Sequence, residues 1–390
     1  MRAFRLVICT CRIGIVLFLM IWASAYMIAC SGGSEYTASK SDDLSDDSGE
    51  DGNGGQAITS PPAFSKAEAR LLEPNAVFPG IVYDGSRIVV SYAKNNRLYV
   101  RPYDMALTPM DTEIQVTLDS DAQVGAGVTD HKHLFFNDAH YLLFSTIGDN
   151  DLYLMKLDVR FSRVGDILSV MENSTTTSTN DMILGTDGTY IITGQFRPPD
   201  KNNGSTSGHL IKRYTTDLEN VGGDIIANPF GHANTAAMIL AEGVVNFVAP
   251  STPVNRIGIP TQRDLLLIRY TTSWDALDSA AIILVDSDTL AHNVPGDGIW
   301  MSTGLAYDKE SQMLLVGHTF VDGNSGSDTG VLYFRVFDTL YREVFSEIMV
   351  NSQTANRAHF LLHGDTLYVL YDERTSGTYA VYGLQYTISR

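Results

Sequence analysis

Short apolar segments with a basic residue near the end recur along the chain. Each has five or six residues rich in Leu, Ile, Val and Tyr, a composition typical of β-strands. The six copies are residues 98–103, 152–157, 210–214, 266–270, 332–337 and 382–386, the last with Gln385 at the basic position. Equivalent positions lie 49 to 67 residues apart. This spacing indicates an internally repeated architecture with one supersecondary unit in each repeat.

A pair of apolar segments joined by a tight turn precedes these copies, as in a β-hairpin. Turn residues such as Asp84-Gly85 and Asn137-Asp138 stand between the two segments. The second segment is almost continuously apolar in every repeat: residues 88–92, 141–144, 190–193, 244–248, 313–316 and 367–370. A strand with one face in water would alternate polar and apolar positions, so these strands are expected to be covered on both faces. The pattern predicts blades packed between neighbouring blades.

Together these features predict an all-β fold, a six-bladed β-propeller over residues 61–390, with five or seven blades as the alternatives. The sixth repeat ends after its third strand. Its outer strand is therefore expected from the N-terminal side, at residues 69–73, which closes the ring and removes the free sheet edges. Aspartates are expected to open the turn after the third strand by bonding to the backbone. They are Asp104, Asp158, Asp217, Asp275 and Asp338.

The last repeat carries the most specific motif of the body. Residues 371–382, YDERTSGTYAVY, contain Asp372 and Arg374 ahead of a glycine and a closing aliphatic-Tyr pair. This segment resembles the repeat of exported bacterial propeller proteins of the TolB-like or sialidase-like kind. The earlier repeats match it poorly. The resemblance implies a propeller fold and carries no activity with it.

The first thirty residues have the pattern of an export signal. Three arginines precede an apolar run at residues 13–28, and Ala29 is the small residue that a signal peptidase requires. The run is about 16 residues long, against about 20 for a spanning helix, and no basic stop-transfer flank follows it. The segment MIAC resembles the bacterial lipobox. That resemblance implies a signal peptide at residues 1–29, lipid on Cys30 and, with Ser31 next, an outer-membrane lipoprotein; the alternative is an ordinary signal peptide.

Residues 30–60 are predicted to be a disordered acidic tether. They are rich in Gly, Ser, Thr and Asp and hold few large apolar side chains, so they cannot bury enough surface to fold. The whole chain has 45 acidic and 27 basic residues and a formal net charge of -18, which argues against nucleic acid as a partner. The expected partners are the membrane, through the lipid, and an envelope protein or glycan.

Long loops after the second strands of blades three to five predict ligand binding at one rim of the propeller, with tolerated surface insertions as the alternative. The polar residues expected at this rim or at the channel are Asp130, His131, Asn180, Asp181, Asn234, His318, Asp322, Asn324, Asp328, Asn356, Asp372 and Arg374. His133, His232 and His359 have similar places, which raises a channel metal as a hypothesis, although no helical paired-histidine motif supports it.

Calcium in the blade-five loop is the one cofactor hypothesis drawn from spacing. Asp322, Asn324 and Asp328 are spaced like part of a calcium loop, but Tyr333 stands where a bidentate acid is needed. No other cofactor is expected.

The absence of known catalytic motifs from the sequence favours a function without catalysis. The sequence has no nucleophile elbow, phosphate loop, dinucleotide fingerprint or sialidase Ser-x-Asp-x-Gly-x-Thr-Trp box. The favoured hypothesis is therefore a lipid-anchored binding or scaffolding module for an envelope protein or glycan. The alternative is a glycan-active hydrolase that uses two rim carboxylates.

Overall fold

Every regular element in the described part of the chain is a β-strand. The computed structural model describes residues 62–118, 120–121, 127–147, 151–171, 182–197, 208–227, 236–250, 264–286, 298–321, 331–350, 355–375 and 377–390. Over these ranges there is no helix, and so none with the length and apolar character needed to cross a membrane. The predicted signal peptide, Cys30 and the whole predicted tether lie outside the described residues.

The described strands form six antiparallel sheets. The N-terminal strands are β1 (Ala63–Lys66) and β2 (Arg70–Pro74). Blade one is β3 (Val77–Tyr83), β4 (Ile88–Lys94), β5 (Arg97–Tyr103) and β6 (Ile114–Gln115). Blade two is β7 (Val128–Phe136), β8 (Ala139–Thr146), β9 (Leu152–Leu157) and β10 (Leu168–Met171). Blade three is β11 (Met182–Thr186), β12 (Ile191–Arg197), β13 (Gly208–Tyr214) and β14 (Ile225–Ala227).

The remaining strands complete the ring. Blade four is β15 (Ala237–Ala241), β16 (Val244–Pro250), β17 (Leu265–Thr271) and β18 (Ile282–Val285). Blade five is β19 (Gly298–Asp308), β20 (Met313–Val321), β21 (Val331–Phe337) and β22 (Glu343–Val350). Blade six is β23 (Ala355–His363), β24 (Thr366–Thr375) and β25 (Thr378–Ser389), completed by β1 and β2.

The first strands of the blades line a central channel. Each contacts the first strand of the next blade, from β3 through β7, β11, β15 and β19 to β23, and β23 contacts β3 again. A sheet arrangement that closes on itself in this way is a six-bladed β-propeller, as the sequence predicts. The channel ends of the first strands are therefore close together even though the strands are far apart in the chain.

The N-terminal segment closes the ring at blade six. Both β1 and β2 pair with β25: Ala63 lies opposite Ser389, and Arg70 lies opposite Gly383. The predicted closing strand at residues 69–73 is thus confirmed, as the second of two short pieces on one strand. Leu72 is buried between these elements and packs in the same apolar cluster as Tyr368.

The second strands are deeply buried, as their continuous apolar sequences predict. All eight residues of β8 are buried. Val89 of β4 belongs to one apolar cluster with Leu142 and Phe144 of β8, so the core lies between blades one and two. A second cluster joins blades five and six in the same way, with Phe334 beside Tyr386. Burial of apolar surface between neighbouring blades is what holds the ring together.

The turns after the third strands share one hydrogen-bond pattern, with a correction to the prediction. Asp104 Oδ1 accepts bonds from the backbone NH groups two and four residues later, at 2.9 and 2.8 Å, and Asp158 and Asp338 do the same. In blades three and four the hydroxyls of Thr215 and Thr271 take this role, so the prediction of Asp217 and Asp275 was wrong. A threonine hydroxyl accepts the same bonds as a carboxylate, so the residue that opens the turn cannot be identified by searching for aspartate alone.

Candidate functional site

Four first strands, β3, β7, β19 and β23, are irregular near their N-terminal ends. The pairing of β3 shifts between Val77 and Gly80, that of β7 between Val128 and Asp130, and that of β23 between Asn356 and His359. Such bulges redirect side chains and are frequent next to active sites. Within them Phe78 and Arg357 have φ of 54° and 44°, in the left-handed region that side chains other than glycine adopt at a cost.

A buried ion pair connects two of these strand ends. Asp130 Oδ2 lies 2.7 Å from Arg357 Nη1, and the two side chains are 3% and 4% exposed. The guanidinium of Arg357 also stands over the Phe78 ring, 4.3 Å from its centroid. Because an isolated buried charge is strongly unfavourable, each of the two charges depends on the other. Blades one, two and six therefore meet at this point.

A second carboxyl group, that of Asp372 near the end of β24, belongs to the same cluster. Its Oδ2 accepts a hydrogen bond from the Phe78 backbone NH at 3.1 Å. Its Oδ1 has no hydrogen-bond partner among the described residues. Burial raises the pKa of Asp372 to about 6, although the nearby Arg357 charge acts to lower it. This carboxyl can therefore hold or release a proton near neutral pH.

The histidines around this cluster are uncharged at neutral pH. His131 Nε2 shares a hydrogen bond with Ser91 Oγ at 2.8 Å, and burial lowers the His131 pKa to about 3. His133 Nε2 lies 3.0 Å from His140 Nδ1. Burial also lowers the pKa values of His133 and His359 well below 6.5. A buried neutral imidazole provides one donor and one acceptor and no charge.

A cavity of about 120 Å³ lies within the channel next to this cluster. Its polar lining includes Lys132, His133 and His359, and its apolar lining includes Ile183, Met238 and Leu305. The first strands of several blades thus contribute to one space within the channel.

The structure brings together some of the predicted residues and separates others. Asp130, His131 and Asp372 meet at the channel. His318 is buried on β20 within blade five, where its Nε2 accepts a hydrogen bond from Arg335 Nε at 2.9 Å. The same interaction with the blade's own third strand explains why it stays there.

Two further candidates lie on the strands of blade six. Arg374 is exposed near the end of β24, with its guanidinium over the Tyr379 ring. Asn356 is opposite Asp372 in the β23–β24 pairing. The other predicted residues lie outside the described part of the chain: His232, Asn180, Asp181, Asn234, Asp322, Asn324 and Asp328.

Sequence reasoning missed Arg357 and Lys132. Each lies among polar residues near the start of a first strand, as in His131-Lys132-His133 and Asn356-Arg357, so the sequence does not mark it as a buried charge. In the described residues no group of three or more His, Cys, Asp or Glu side chains is arranged to hold a metal ion. The calcium hypothesis concerns residues that the structure does not describe.

No protein-family model and no curated protein matches the sequence. Among solved structures, the chain is similar to Trypanosoma rangeli sialidase, with a TM-score of 0.53, 12% identity, and coverage of 83% of this chain and 59% of that one. For the same sialidase in complex with the inhibitor DANA the TM-score is 0.52 and the identity 13%, with coverage of 83% of this chain and 60% of that one. For an α-L-arabinofuranosidase from Clostridium thermocellum the TM-score is 0.40 and the identity 10%, with coverage of 70% of this chain and 94% of that one.

These comparisons concern the fold. At such low identity, the likeness to the sialidase structures shows a shared propeller architecture and does not transfer their residues. The chain spans about 60% of the length of the sialidase structure with DANA. The sequence and structure together define this chain as a six-bladed β-propeller with a buried cluster of carboxylates and cations at its channel.

Proposed function

We propose that this protein is a glycan-active hydrolase whose reaction takes place at the channel cluster, with Asp372 as proton donor and Asp130 as the second carboxylate. One observation carries the proposal. Asp372 is a buried carboxyl with a pKa raised to about 6 and one oxygen without a partner among the described residues, and a paired carboxylate, Asp130, belongs to the same cluster. Two carboxyl groups held in different environments are the usual acid and base of glycoside hydrolysis.

The two carboxyl groups have different roles in the proposed reaction. Protonated Asp372 donates its proton to the glycosidic oxygen, so that the leaving sugar departs as an alcohol. Asp130, which is paired with Arg357, stabilises the cationic sugar or directs the attacking water and accepts its proton. Arg357 is a positioning residue in this scheme, because it acts on the substrate only through Asp130.

A glycan is the proposed substrate class because the fold resembles that of sialidase structures. The non-catalytic binding or scaffolding function favoured by the sequence is neither supported nor excluded by these comparisons. It remains the outcome to be expected if the purified protein binds envelope glycan or protein without any turnover.

The proposal also includes the location that the sequence predicts. A lipid on Cys30 and the acidic segment that follows would hold a TolB-like or sialidase-like propeller at the bacterial outer membrane, within reach of envelope glycans. Replacing Cys30 by alanine should release a folded propeller from the membrane fraction. A variant that stays in the membrane through an uncleaved helix would refute the lipid anchor and leave the catalytic proposal unaffected.

The catalytic proposal is tested by hydrolysis of a panel of envelope polysaccharides and aryl glycosides. Asp372→Asn and Asp130→Asn are each expected to lower kcat/KM by at least about a hundredfold. For wild type, kcat/KM should fall above about pH 6 as Asp372 loses its proton. Asp308→Asn is the matched control, because Asp308 is 2% exposed and pairs with Arg390 at 2.9 Å, outside the channel cluster.

The control should keep turnover within about threefold of wild type, since it removes the charge of a buried aspartate paired with an arginine without touching the cluster. If Asp372→Asn retains full activity, or if Asp308→Asn loses as much, the assignment of the two carboxyl groups is refuted. Folding of every variant is checked by circular dichroism, so that loss of turnover is separated from loss of structure.

A further inference from the structure

Lys132 is a buried cation in an unusual environment. It lies on β7, is 9% exposed and lines the 120 Å³ channel cavity. Its ammonium group has no hydrogen bond to any other described residue. Lysine is almost never buried without a partner, because removing an ammonium group from water is costly. Something that is not part of the described chain is therefore expected to balance this charge.

The nearest acidic groups are already engaged. Asp130 attracts Lys132 but is paired with Arg357 at 2.7 Å. Asp372 accepts a hydrogen bond from Phe78. The described lining of the cavity contains no carboxylate. Lys132 is thus left without an acid of its own, because Asp130 is paired with Arg357 and Asp372 is bonded to the Phe78 backbone.

The rest of the lining suits a small ligand with a negative charge. The His133–His140 hydrogen bond uses His133 Nε2 and leaves His133 Nδ1 without a hydrogen-bond partner among the described residues. His359 lines the same space. The cavity is partly open, and most of its exposed lining is polar, so a bound anion would meet hydrogen-bonding groups as well as the ammonium charge. The volume admits several water-sized groups and no more.

We propose that this cavity binds a small monovalent anion, such as formate or a halide, with the Lys132 ammonium as its counter-charge and neutral histidines as hydrogen-bond donors. This site is separate from the proposed glycan hydrolysis and does not depend on it. Burial lowers the Lys132 pKa to about 8, which agrees with an ammonium group that lacks a permanent partner.

The pH dependence follows from the titratable and charged groups that line the cavity or lie in the cluster beside it. Asp130, Lys132 and the neutral His131 and His133 come from β7. Arg357 and the neutral His359 come from β23, and Asp372 comes from β24. Above about pH 8 the ammonium group loses its proton and the affinity should fall. Between pH 7 and pH 5 Asp372 gains a proton, which removes one negative charge from the cluster, so the affinity should rise.

The test uses the full chain and sodium formate at constant ionic strength, with isothermal titration calorimetry as the readout. Wild type is expected to show saturable binding in the millimolar range. Lys132→Met removes the charge and keeps the apolar stem, and it should weaken binding at least tenfold. Lys309→Met is the matched control, because Lys309 is a surface lysine with its side chain 82% exposed, and it should bind formate as wild type does.

A second measurement does not depend on any variant folding. A bromide-soaked crystal of the wild type should show an anomalous peak in the cavity beside Lys132 Nζ. The absence of saturable formate binding together with the absence of this peak would overturn the proposal. So would a folded Lys132→Met variant that binds formate as tightly as wild type.

Discussion

Replacing Glu73 by glutamine should weaken the closure of the ring. Glu73 lies near the end of β2, the N-terminal strand that pairs with blade six, and is 2% exposed. Its Oε1 accepts hydrogen bonds from Arg101 Nη1 at 2.8 Å and from Tyr103 OH at 2.5 Å, both on β5. Since β2 itself pairs with β25, this one carboxylate joins blade six to blade one.

The magnitude follows from the burial of the two partners. Breaking a fully buried ion pair by removing one member costs about 3–5 kcal/mol. The Arg101 side chain is 26% exposed and regains some hydration, so a loss of about 2–3 kcal/mol is expected. For roughly 330 residues at about 2.1 cal/mol/K per residue, the melting temperature should fall by about 3–4 °C.

The assay is thermal unfolding at pH 7, followed by circular dichroism. Glu347→Gln is the matched control, because Glu347 pairs with Lys66 of β1 at 3.2 Å and both side chains are 32% exposed. An exposed pair of this kind contributes about 0–1 kcal/mol, and its loss should lower the melting temperature by about 1 °C at most. Equal effects of the two substitutions would refute the argument that burial sets the contribution of each pair.

Three further predictions concern the histidines, a channel glycine and the recurring turn. Burial lowers the pKa of His131 to about 3 and that of His140 to about 4. As the pH falls, the unfolded chain binds protons at these histidines first, because their pKa values there are near 6.5. The histidine contribution to stability is therefore complete above pH 6.5 and decreases toward pH 4, with a loss of up to about 2 kcal/mol per histidine at pH 5. Urea unfolding at pH 7 and pH 5 measures this, and equal free energies would contradict it. Gly80→Ala should cost about 1–3 kcal/mol, because its Cβ would lie 2.6 Å from a buried hydroxyl, whereas Gly223→Ala meets no atom and should cost less; the order of their melting temperatures decides. Leu107 is buried with φ of 56°, so Leu107→Gly should be about 1 kcal/mol more stable than Leu107→Ala in chemical denaturation, the reverse of the usual order.

Much of the propeller is visible in the sequence because each blade is a local structure. The second strands, such as β8, are buried on both faces, and this burial requires apolar residues at consecutive positions of the sequence. The turn after the third strand was harder to place. This turn is defined by a side-chain oxygen that accepts two hydrogen bonds from backbone NH groups. The hydroxyl of Thr215 does this as well as the carboxylate of Asp104.

The candidate site was predictable only in part. Asp130 and Asp372 stand out in the sequence as acids at strand ends. Arg357, which pairs with Asp130, gives no comparable signal, because its importance comes from a partner more than two hundred residues away in the chain. His318 carries the same sequence signal as His131, yet its bond to Arg335 keeps it within blade five.

The sequence by itself determined the repeat, the strand pattern and the N-terminal segment that completes blade six, because these depend on residues close together in the chain and on the need to bury apolar surface. Only the tertiary structure decided which charges meet. Closing the ring places the first strands of blades one, two and six side by side. Their strained, bulged ends then direct Asp130, Arg357 and Lys132 inward, where low polarity shifts pKa values and makes each charge dependent on a partner.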